Sequence, residues 1–327
     1  MPEIRKASAV DGGELRRFYA GAFPDRADFL SSHWRWLYRV GEFPGIEPLV
    51  LVEGTRVVGH AGAIPFTLSH DSVQDTAIWF VDFSIVPELQ GQGHGKALTE
   101  AWMALCPRRV TFCNDLSMRV FLKLGWTERA GAKVLSQPFE LAAPLERRLG
   151  PLGAVAGKLL NAPSRAVLGA LASGAPAIKV GPLPDDAAAL SALLDDRAAP
   201  TRVVRDTAWV KWRLLDNPRR GELFLVEAGG VAAVFRLFES LGRKRAHLLL
   251  VGPGPGPARA AMSEAFAAWA LDQDADDAWL AGNDETVMTA AAPVLRRSRP
   301  LRFAWHGDAG APLPTQGVDS DHDLMFP

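Results

Sequence analysis

A glycine-rich turn near the middle of the first half of the chain has residue types suited to binding phosphate. The turn, Gln90-Gly-Gln-Gly-His-Gly-Lys96, joins a mostly apolar strand predicted over 78–86 to a helix predicted to run to about Cys106. Glycines at alternate positions let successive backbone N–H groups point into one concavity, and the following helix N-terminus adds about half a positive charge. The pattern predicts a turn that can hold a pyrophosphate, with a plain reversal of the chain as the alternative.

Two familiar nucleotide-binding patterns do not fit this turn. No Gly-Lys-Ser/Thr sequence ends it, and Thr99 lies too far along to supply the hydroxyl that a P-loop places on Mg²⁺. A dinucleotide-binding unit carries its glycines directly after its first strand, whereas four elements, including a hairpin, precede this turn. Both interpretations are therefore excluded.

Four side chains near the turn could move protons. Asp82 and Ser84 share one face of the predicted strand if it alternates regularly, and Glu53 and His60 belong to the preceding hairpin. Asp82 is the first choice for a general base, because an ionisable group inside an apolar run is costly unless it is paired or functional. A salt-bridged or half-exposed Asp82, a core His60 and a structural Glu53 remain the alternatives.

The turn and its surroundings resemble the GNAT acyltransferase superfamily. The acyl-CoA loop of that family, Gln/Arg-x-x-Gly-x-Gly/Ala after a Val-x-Pro-Glu strand end, is similar to Ile85-Val-Pro-Glu88 followed by Gln90-Gly-Gln-Gly93-His-Gly95. A second motif, a helix running into Lys-x-Gly-Phe, resembles Ser117-Met-Arg-Val-Phe-Leu-Lys-Leu-Gly-Trp126. The resemblance is close over residues 1 to about 135 and fainter over 178–327.

The resemblance implies an acyl-CoA donor, acetyl-CoA, whose pyrophosphate binds the backbone amides of 91–96. Its pantetheine arm would pair with Phe83–Val86 like an extra strand. In that family a backbone N–H of this strand polarises the thioester oxygen, and the acceptor is typically an amine. The catalytic residues expected here are Asp82 and Ser84. The cofactor-binding residues expected are Phe83, Ser84, Ile85, Val86, Gln90, Gly91, Gln92, Gly93, His94, Gly95, Lys96 and Asn114.

One residue departs from the family pattern. Many members place a Tyr on the second-motif helix to protonate the CoA thiolate, and Phe121 stands there in this chain. The two tyrosines, Tyr19 and Tyr38, are far upstream, which leaves Ser117, Cys113 or water as the donor. A thiolate with a pKa of about 8.5 needs little help near neutral pH.

An internal repeat organises the chain. Leu49-Val-Leu-Val-Glu53 reappears as Leu223-Phe-Leu-Val-Glu227, and Ile4 and its following Asp11 correspond to Ile178 and Asp185, all at an offset of 174. Tryptophan pairs, Trp34 with Trp36 and Trp209 with Trp212, precede the two hairpins. The sequence predicts an α/β (α+β) protein of two tandem GNAT-like domains, each a mixed, mostly antiparallel sheet flanked by helices, over 1–140 and 178–327. A partly helical, Ala/Pro-rich connector is predicted over 141–177.

The second copy is predicted to be degenerate. At its glycine turn the chain reads Val251-Gly-Pro-Gly-Pro-Gly-Pro257, and these prolines remove N–H donors that a pyrophosphate needs. The acidic tail 317–323 lacks the Gly and Glu of a calcium loop, so no metal is expected. It is interpreted as a solvated tail, with a contribution to a cationic acceptor pocket as the alternative.

Composition limits the partners. The chain of 327 residues has 36 Lys+Arg against 37 Asp+Glu, a formal charge of −1, so neither nucleic acid nor a membrane is expected as a partner. Two cysteines give no disulfide framework, and no signal peptide or span of ~20 apolar residues is seen, which predicts a cytoplasmic protein. A monomer or homodimer is expected.

The sequence therefore predicts transfer of an acetyl group from acetyl-CoA to a small-molecule amine, by direct attack in a ternary complex. Two alternatives within the enzymes are a longer acyl donor and O-acylation of a saccharide-type acceptor. A non-catalytic CoA-binding or sensing module is the rival from another class. A peptidyl-type aminoacyl transferase would need a basic surface for tRNA, which the overall charge does not favour.

Overall fold

Two β-sheets organise the protein in the computed structural model, which describes residues 2–129, 131–307 and 313–321. In spatial order the first sheet contains β1 (Glu3–Lys6), β2 (Leu49–Glu53), β3 (Arg56–His70), β4 (Val73–Ile85), β5 (Arg108–Cys113), β15 (Arg302–His306) and β6 (Thr127–Arg129), with β9 (Thr201–Val203) beside β3. The second contains β8 (Lys179–Pro182), β10 (Leu223–Ala228), β11 (Val231–Ser240), β12 (Arg243–Val251), β13 (Asp277–Gly282), β7 (Lys133–Pro138) and β14 (Arg297–Pro300). Most neighbours are antiparallel, which confirms the predicted fold class.

Helices flank both sheets. They are α1 (Gly12–Ala22), α2 (Ala27–Leu37), α3 (His94–Met103), α4 (Asp115–Lys123), α5 (Ala142–Leu149), α6 (Pro151–Ala172), α7 (Ala187–Leu194), α8 (Thr207–Val210), α9 (Gly256–Asp272) and α10 (Glu285–Ala291). Asp11 caps α1 by accepting from Gly13 N, and the matching cap of α7 is Asp186 rather than Asp185, which pairs with Arg220. Within the described residues, no helix combines the length and apolar content needed to cross a bilayer.

The two sheets follow the same strand order and exchange one strand. β7 comes from the first half of the chain but pairs with β13, for instance Leu135 with Leu280. β15 comes from the second half but pairs with β5, where Phe303 lies opposite Phe112. The predicted domain boundaries at residues 140 and 178 stay a prediction. Each sheet includes one strand from the other half of the chain.

A reciprocal tryptophan contact joins the halves. Trp36 Nε1 donates to the Trp212 carbonyl at 2.9 Å, and Trp212 Nε1 donates to the Trp36 carbonyl at 2.7 Å. Their rings lie 6.2 Å apart. This contact has the self-complementary form of a two-fold interface. Buried residues of both halves, including Tyr19 and Trp209, belong to one continuous hydrophobic core.

The C-terminal strap, which we define as residues 313–321, is buried rather than a solvated tail as predicted. Arg205 binds both carboxylate oxygens of Asp319, at 3.2 and 2.7 Å, and the two side chains are shielded from solvent. The Gln316 side chain pairs with both the N–H and the carbonyl of Val251. The prediction failed because the acidic residues have buried arginine partners from distant segments. His322 and Asp323 lie outside the described residues.

Candidate active site

A cleft opens where β4 and β5 separate. The two strands run parallel and pair only from Ala77–Trp79 with Arg108–Val110, although β4 continues to Ile85. The Thr111 hydroxyl donates to the Phe80 carbonyl at 2.8 Å, at the point of separation. Among the described residues no strand pairs with β4 beyond this point on the side facing β5. This edge includes Phe83, Ser84 and Ile85 and can accept one more extended segment.

The free edge of β4 leads directly into the glycine turn. Gly91 and Gly93 have φ values of 76° and 87°, in the left-handed region that favours glycine. A Cβ atom at either position would meet open space, so backbone conformation rather than crowding requires glycine there. The Gln90 side chain donates to the Ile85 carbonyl, and the Gln92 side chain donates to the Glu88 carbonyl, which ties the turn to the strand end.

The first turn of α3 presents backbone N–H groups at the end of this turn. The helix begins at His94 after Gly93, and no side chain caps it. The N–H groups of His94, Gly95 and Lys96 therefore lack partners within the helix, the arrangement that binds phosphate in many proteins. The Lys96 ammonium is exposed, 3.7 Å from Glu100. Val86 follows the end of β4 and donates its N–H to Val58 on β3, so the turn is anchored on both sides.

Asn114, the remaining expected cofactor residue, lies at the end of β5. Its Oδ1 accepts from Ser117 N at 2.9 Å and so caps α4. The cap gives Asn114 a structural role at an exposed position. A part in cofactor binding stays a prediction.

Asp82 lies at a β-bulge, which the sequence did not reveal. Its φ is 48°, and the register between β3 and β4 shifts between the His60–Ser84 and Gly62–Val81 pairs. The bulge interrupts the alternation between Val81 and Asp82; beyond it Phe83 and Ile85 both lie near Gly95, and Ser84 pairs with His60. Asp82 hydrogen-bonds to Arg26 and Tyr38 instead of Ser84, whose hydroxyl makes no hydrogen bond within the part of the chain described.

A buried charge cluster surrounds Asp82. Arg26 Nη1 donates to Asp82 Oδ1 at 2.6 Å and to Asp321 Oδ2 at 2.8 Å. The Tyr38 hydroxyl donates to Asp82 Oδ2 at 2.8 Å. Only 3% of the Asp82 side chain is exposed. Asp82 therefore makes the salt bridge that was one of the alternatives to a catalytic role. The strap thus brings a carboxylate of the second half to the first sheet.

The cluster perturbs the pKa of Asp82. Burial raises the pKa of Asp82 to about 6, and the negative charge of Asp321 acts in the same direction, while Arg26 and the Tyr38 hydrogen bond oppose it. A carboxylate with a pKa near 6 is ionised at neutral pH and is a stronger base than an ordinary aspartate. The cluster therefore has the electrostatic character expected of a proton acceptor.

His60 lies beside the cluster but is neutral. Its Nδ1 lies 2.8 Å from the Asp82 carbonyl, which can only accept, so Nδ1 carries the proton and Nε2 faces the Tyr19 hydroxyl at 3.3 Å. Burial lowers the pKa of His60 to about 4. The ring is enclosed by Phe18, Tyr19, Phe23 and Tyr38. These contacts are those of a buried core histidine, which was the alternative to a catalytic role for His60.

Several residues of this site, Arg26 and Asp321 among them, were missed because they are distant from the motif in sequence. Tyr19 on α1 and Tyr38 just after α2 both reach the His60–Asp82 region, although the sequence placed them far upstream of the motif. Burial raises the pKa of each above its ordinary value. No local motif marks them, since helix packing alone sets their position. Glu53 is exposed at its hairpin end, away from these contacts.

Aromatic rings fill the space beneath the cleft. Phe121 is buried and contacts Phe80 at 5.4 Å and Trp126 at 4.7 Å between ring centroids, and Phe80 packs edge-on against Trp102 at 4.6 Å. Burial raises the pKa of the Cys113 thiol to about 11. A thiol this weakly acidic is a poor proton donor and a poor nucleophile.

The corresponding region of the second sheet is occupied. The strap bridges the ends of β12 and β13, where Gln316 pairs with Val251 and Asn283 N donates to the Thr315 carbonyl. A cavity of about 280 Å³ lies beside it. Its arginines are already paired with acids: Arg202 with Asp195, Arg205 with Asp319, and Arg259 with Asp284. The described arginines that line this cavity are therefore all compensated and offer no free cation to a pyrophosphate.

Comparisons with known proteins agree with this geometry. The sequence model of the acetyltransferase (GNAT) family matches residues 13–126. No curated protein matches the sequence. Among solved structures, the chain is similar to a GCN5-related N-acetyltransferase from Kribbella flavida, with a TM-score of 0.56, 16% identity, and coverage of 93% of this chain and 71% of that one.

Two further structures share the fold at low identity. N-myristoyltransferase from Saccharomyces cerevisiae, solved with myristoyl-CoA, gives a TM-score of 0.61 and 10% identity over 93% of this chain and 82% of that one. A putative acetyltransferase from Pyrococcus horikoshii gives a TM-score of 0.54 and 8% identity, over 99% of this chain and 92% of that one. The fold, the glycine turn and the family model point the same way: residues 13–126 of this chain match the acetyltransferase (GNAT) family.

Proposed function

We propose that the protein transfers an acetyl group from acetyl-CoA to a small-molecule amine at the cleft between β4 and β5. The observation that carries the proposal is the unpaired edge of β4 beyond Trp79, which runs directly into a glycine turn with uncapped helix amides. CoA has an extended pantetheine arm joined to a pyrophosphate. The arm fits the open strand edge, and the pyrophosphate fits the anion-binding turn that follows it.

In this proposal the donor lies along the β4 edge. The pantetheine arm pairs with Phe83–Val86, and the pyrophosphate lies on the amides of 91–96, with Gln90 and Gln92 fixing the turn. A backbone N–H at the bulge end of the strand polarises the thioester carbonyl. Lys96 adds a positive charge near the phosphates, and Asn114 closes the opposite side.

Asp82 serves as the proton acceptor. The acceptor nitrogen attacks the thioester carbon, the carbon–sulfur bond breaks, and the nitrogen loses a proton as the amide forms. Because Asp82 is buried behind Arg26 and Tyr38, the proton reaches it through water that the Ser84 hydroxyl helps to hold. The CoA thiolate takes a proton from solvent. Arg26 and Asp321 are positioning residues that keep Asp82 in place.

The aromatic packing favours a short acyl group. Phe80, Trp102, Phe121 and Trp126 fill the space under the cleft. A long chain would have to displace them, at an energetic cost that a two-carbon group avoids. A longer acyl-CoA is the second candidate, since the yeast N-myristoyltransferase of similar fold was solved with myristoyl-CoA. O-acylation of a saccharide-type acceptor and CoA binding without turnover are further alternatives.

The first experiment compares acetyl-CoA binding by calorimetry to the native protein and to Gly93→Ala. An alanine at φ 87° is strained, so the turn should shift and the affinity should fall by about tenfold or more. Gly242→Ala is the matched control, because Gly242 has a φ of 68° and open surroundings in the β11–β12 hairpin of the second sheet. Equal affinity in all three proteins would contradict the donor site.

A parallel assay follows release of the CoA thiol with a panel of amines, using acetyl-CoA and myristoyl-CoA in turn. The proposal expects turnover with acetyl-CoA. Turnover with only the longer donor would support the second candidate. Binding without turnover on any amine would favour the non-catalytic alternative.

A further inference from the structure

One side of α6 is an uninterrupted apolar surface facing solvent. Its most exposed side chains are Leu152 and Leu159, with 81% and 75% of their surface exposed, and Val155, Leu160, Val167 and Leu171 are also exposed. At 100° per residue these positions fall on one side of the helix. The helix spans Pro151–Ala172, so the face is about 33 Å long.

The opposite side of α6 is fixed to the protein. Gly153 and Gly157 lie against α5, where a Cβ atom would come within 2.2 Å of the Leu145 carbonyl oxygen and 2.4 Å of Ala142 Cα. Leu168 and Ala172 are buried, and Arg165 donates to the Ala275 carbonyl. The contacts define which face is turned outward, so rotation of the helix cannot bury the exposed leucines.

An exposed face of this kind requires a partner. A helix that is apolar on all sides is typical of a buried or membrane-associated position, whereas a surface helix carries polar residues outward. Soluble monomers rarely expose continuous apolar patches of more than a few hundred Å². On α6, Lys158 and Arg165 are the charged residues, and Arg165 already pairs with the protein body.

The charge around the helix identifies the kind of partner. From Arg147 to Pro184 the chain has no Asp or Glu, and besides Arg165, which pairs with Asp274, it has the cations Arg147, Arg148, Lys158 and Lys179. A second copy placed face to face would bring these cations together, while an anionic lipid surface would attract them. The overall charge of −1, from which no membrane partner was expected, averages over the chain and conceals this segment.

We propose that α6 is a docking helix for an anionic lipid surface, lying in the plane of the membrane interface with Leu152, Val155 and Leu159 inserted among the acyl chains. Lys158 extends along the helix toward the lipid headgroups, as long cationic side chains do at such interfaces. This mode of binding leaves the helix packed on α5 and requires no segment to cross the bilayer.

The test is sedimentation of the purified full-length protein with vesicles. Vesicles of phosphatidylcholine with one quarter phosphatidylglycerol should carry the protein down, vesicles of pure phosphatidylcholine should carry less, and high salt should reduce binding only in part. Leu152→Glu/Leu159→Glu should reduce binding to the anionic vesicles by about tenfold or more, because both side chains leave water on docking.

The matched control is Leu116→Glu/Leu241→Glu, which changes two other exposed leucines in the same way. It should bind as the native protein does. All four positions are exposed, so both variants should fold, and circular dichroism checks this. Absence of binding by the native protein, or equal loss in both variants, would overturn the proposal. Light scattering that shows a dimer lost only in Leu152→Glu/Leu159→Glu, without vesicle binding, would overturn it in favour of a second copy.

Discussion

Arg26 and Asp321, from opposite ends of the chain, are joined by a 2.8 Å hydrogen bond beside the β4 bulge. The same Arg26 nitrogen binds Asp82 at 2.6 Å, so a residue of the strap acts on the candidate base through one guanidinium. The strap itself is held by Arg205 and by Arg213, whose Nε donates to the Val318 carbonyl. The second half therefore supplies part of the electrostatic environment of the first sheet.

Asp82→Asn should lower kcat by about 100-fold or more, because the amide keeps the shape of the side chain but cannot take up a proton at neutral pH. Affinity for acetyl-CoA, measured by calorimetry, should stay within about twofold, since Asp82 does not line the phosphate turn. Asp75→Asn on the same strand, whose carboxylate is partly exposed and paired with Arg108, is the control and should leave kcat unchanged. Full turnover in Asp82→Asn would remove Asp82 from the mechanism.

The pH profile of kcat should rise through an acid limb near pH 6, because the base works when ionised and the pKa of Asp82 is raised to about 6. Asp321→Asn removes a negative charge that raises this pKa, so the limb should move to lower pH while Arg26 remains paired with Asp82. His60, with its pKa lowered to about 4, stays neutral across this range. Tyr19 and Tyr38, with raised pKa values, also stay neutral there.

The measurement is initial rate against pH for the native protein, Asp321→Asn and the control Asp75→Asn. A merely structural role for Asp321 would lower rates at all pH values and leave the limb where it is. A limb that stays fixed in Asp321→Asn would therefore contradict the coupling through Arg26.

Arg205→Leu should destabilise the protein by about 3–5 kcal/mol, because it leaves the fully buried Asp319 without its ion-pair partner. The free energy of unfolding in urea measures this loss. Arg56→Leu breaks an exposed pair with Glu88 and should cost at most about 1 kcal/mol. The double variant Arg205→Leu/Asp319→Leu should recover part of the stability. A loss in Arg205→Leu no larger than in Arg56→Leu would mean that the strap is not held by this pair.

The sequence predicted the fold class and the glycine turn because their signals are local. Glycines needing left-handed φ at 91 and 93 and a strand ending at Pro87 can be recognised within about ten residues. Arg26, Tyr38 and Asp321 could not be recognised, because only the packing of distant segments brings them to Asp82. The bulge at Asp82 was also hidden, since a residue other than glycine adopts the left-handed φ. The acidic strap looked solvated because sequence alone does not show a buried arginine partner.

The exchange of β7 and β15 predicts that neither half folds alone. Fragments 2–174 and 175–327, divided at the exposed Gly174, should each lack a strand of their own sheet and remain unfolded or insoluble. Expressed together, they should form a complex that co-purifies and melts cooperatively, because each supplies the strand that the other lacks. Phe303→Asp places a charge in the buried part of β15 and should abolish the complex, whereas Arg299→Asp on the exposed β14 should not. If fragment 2–174 alone unfolds cooperatively, the first sheet does not depend on β15.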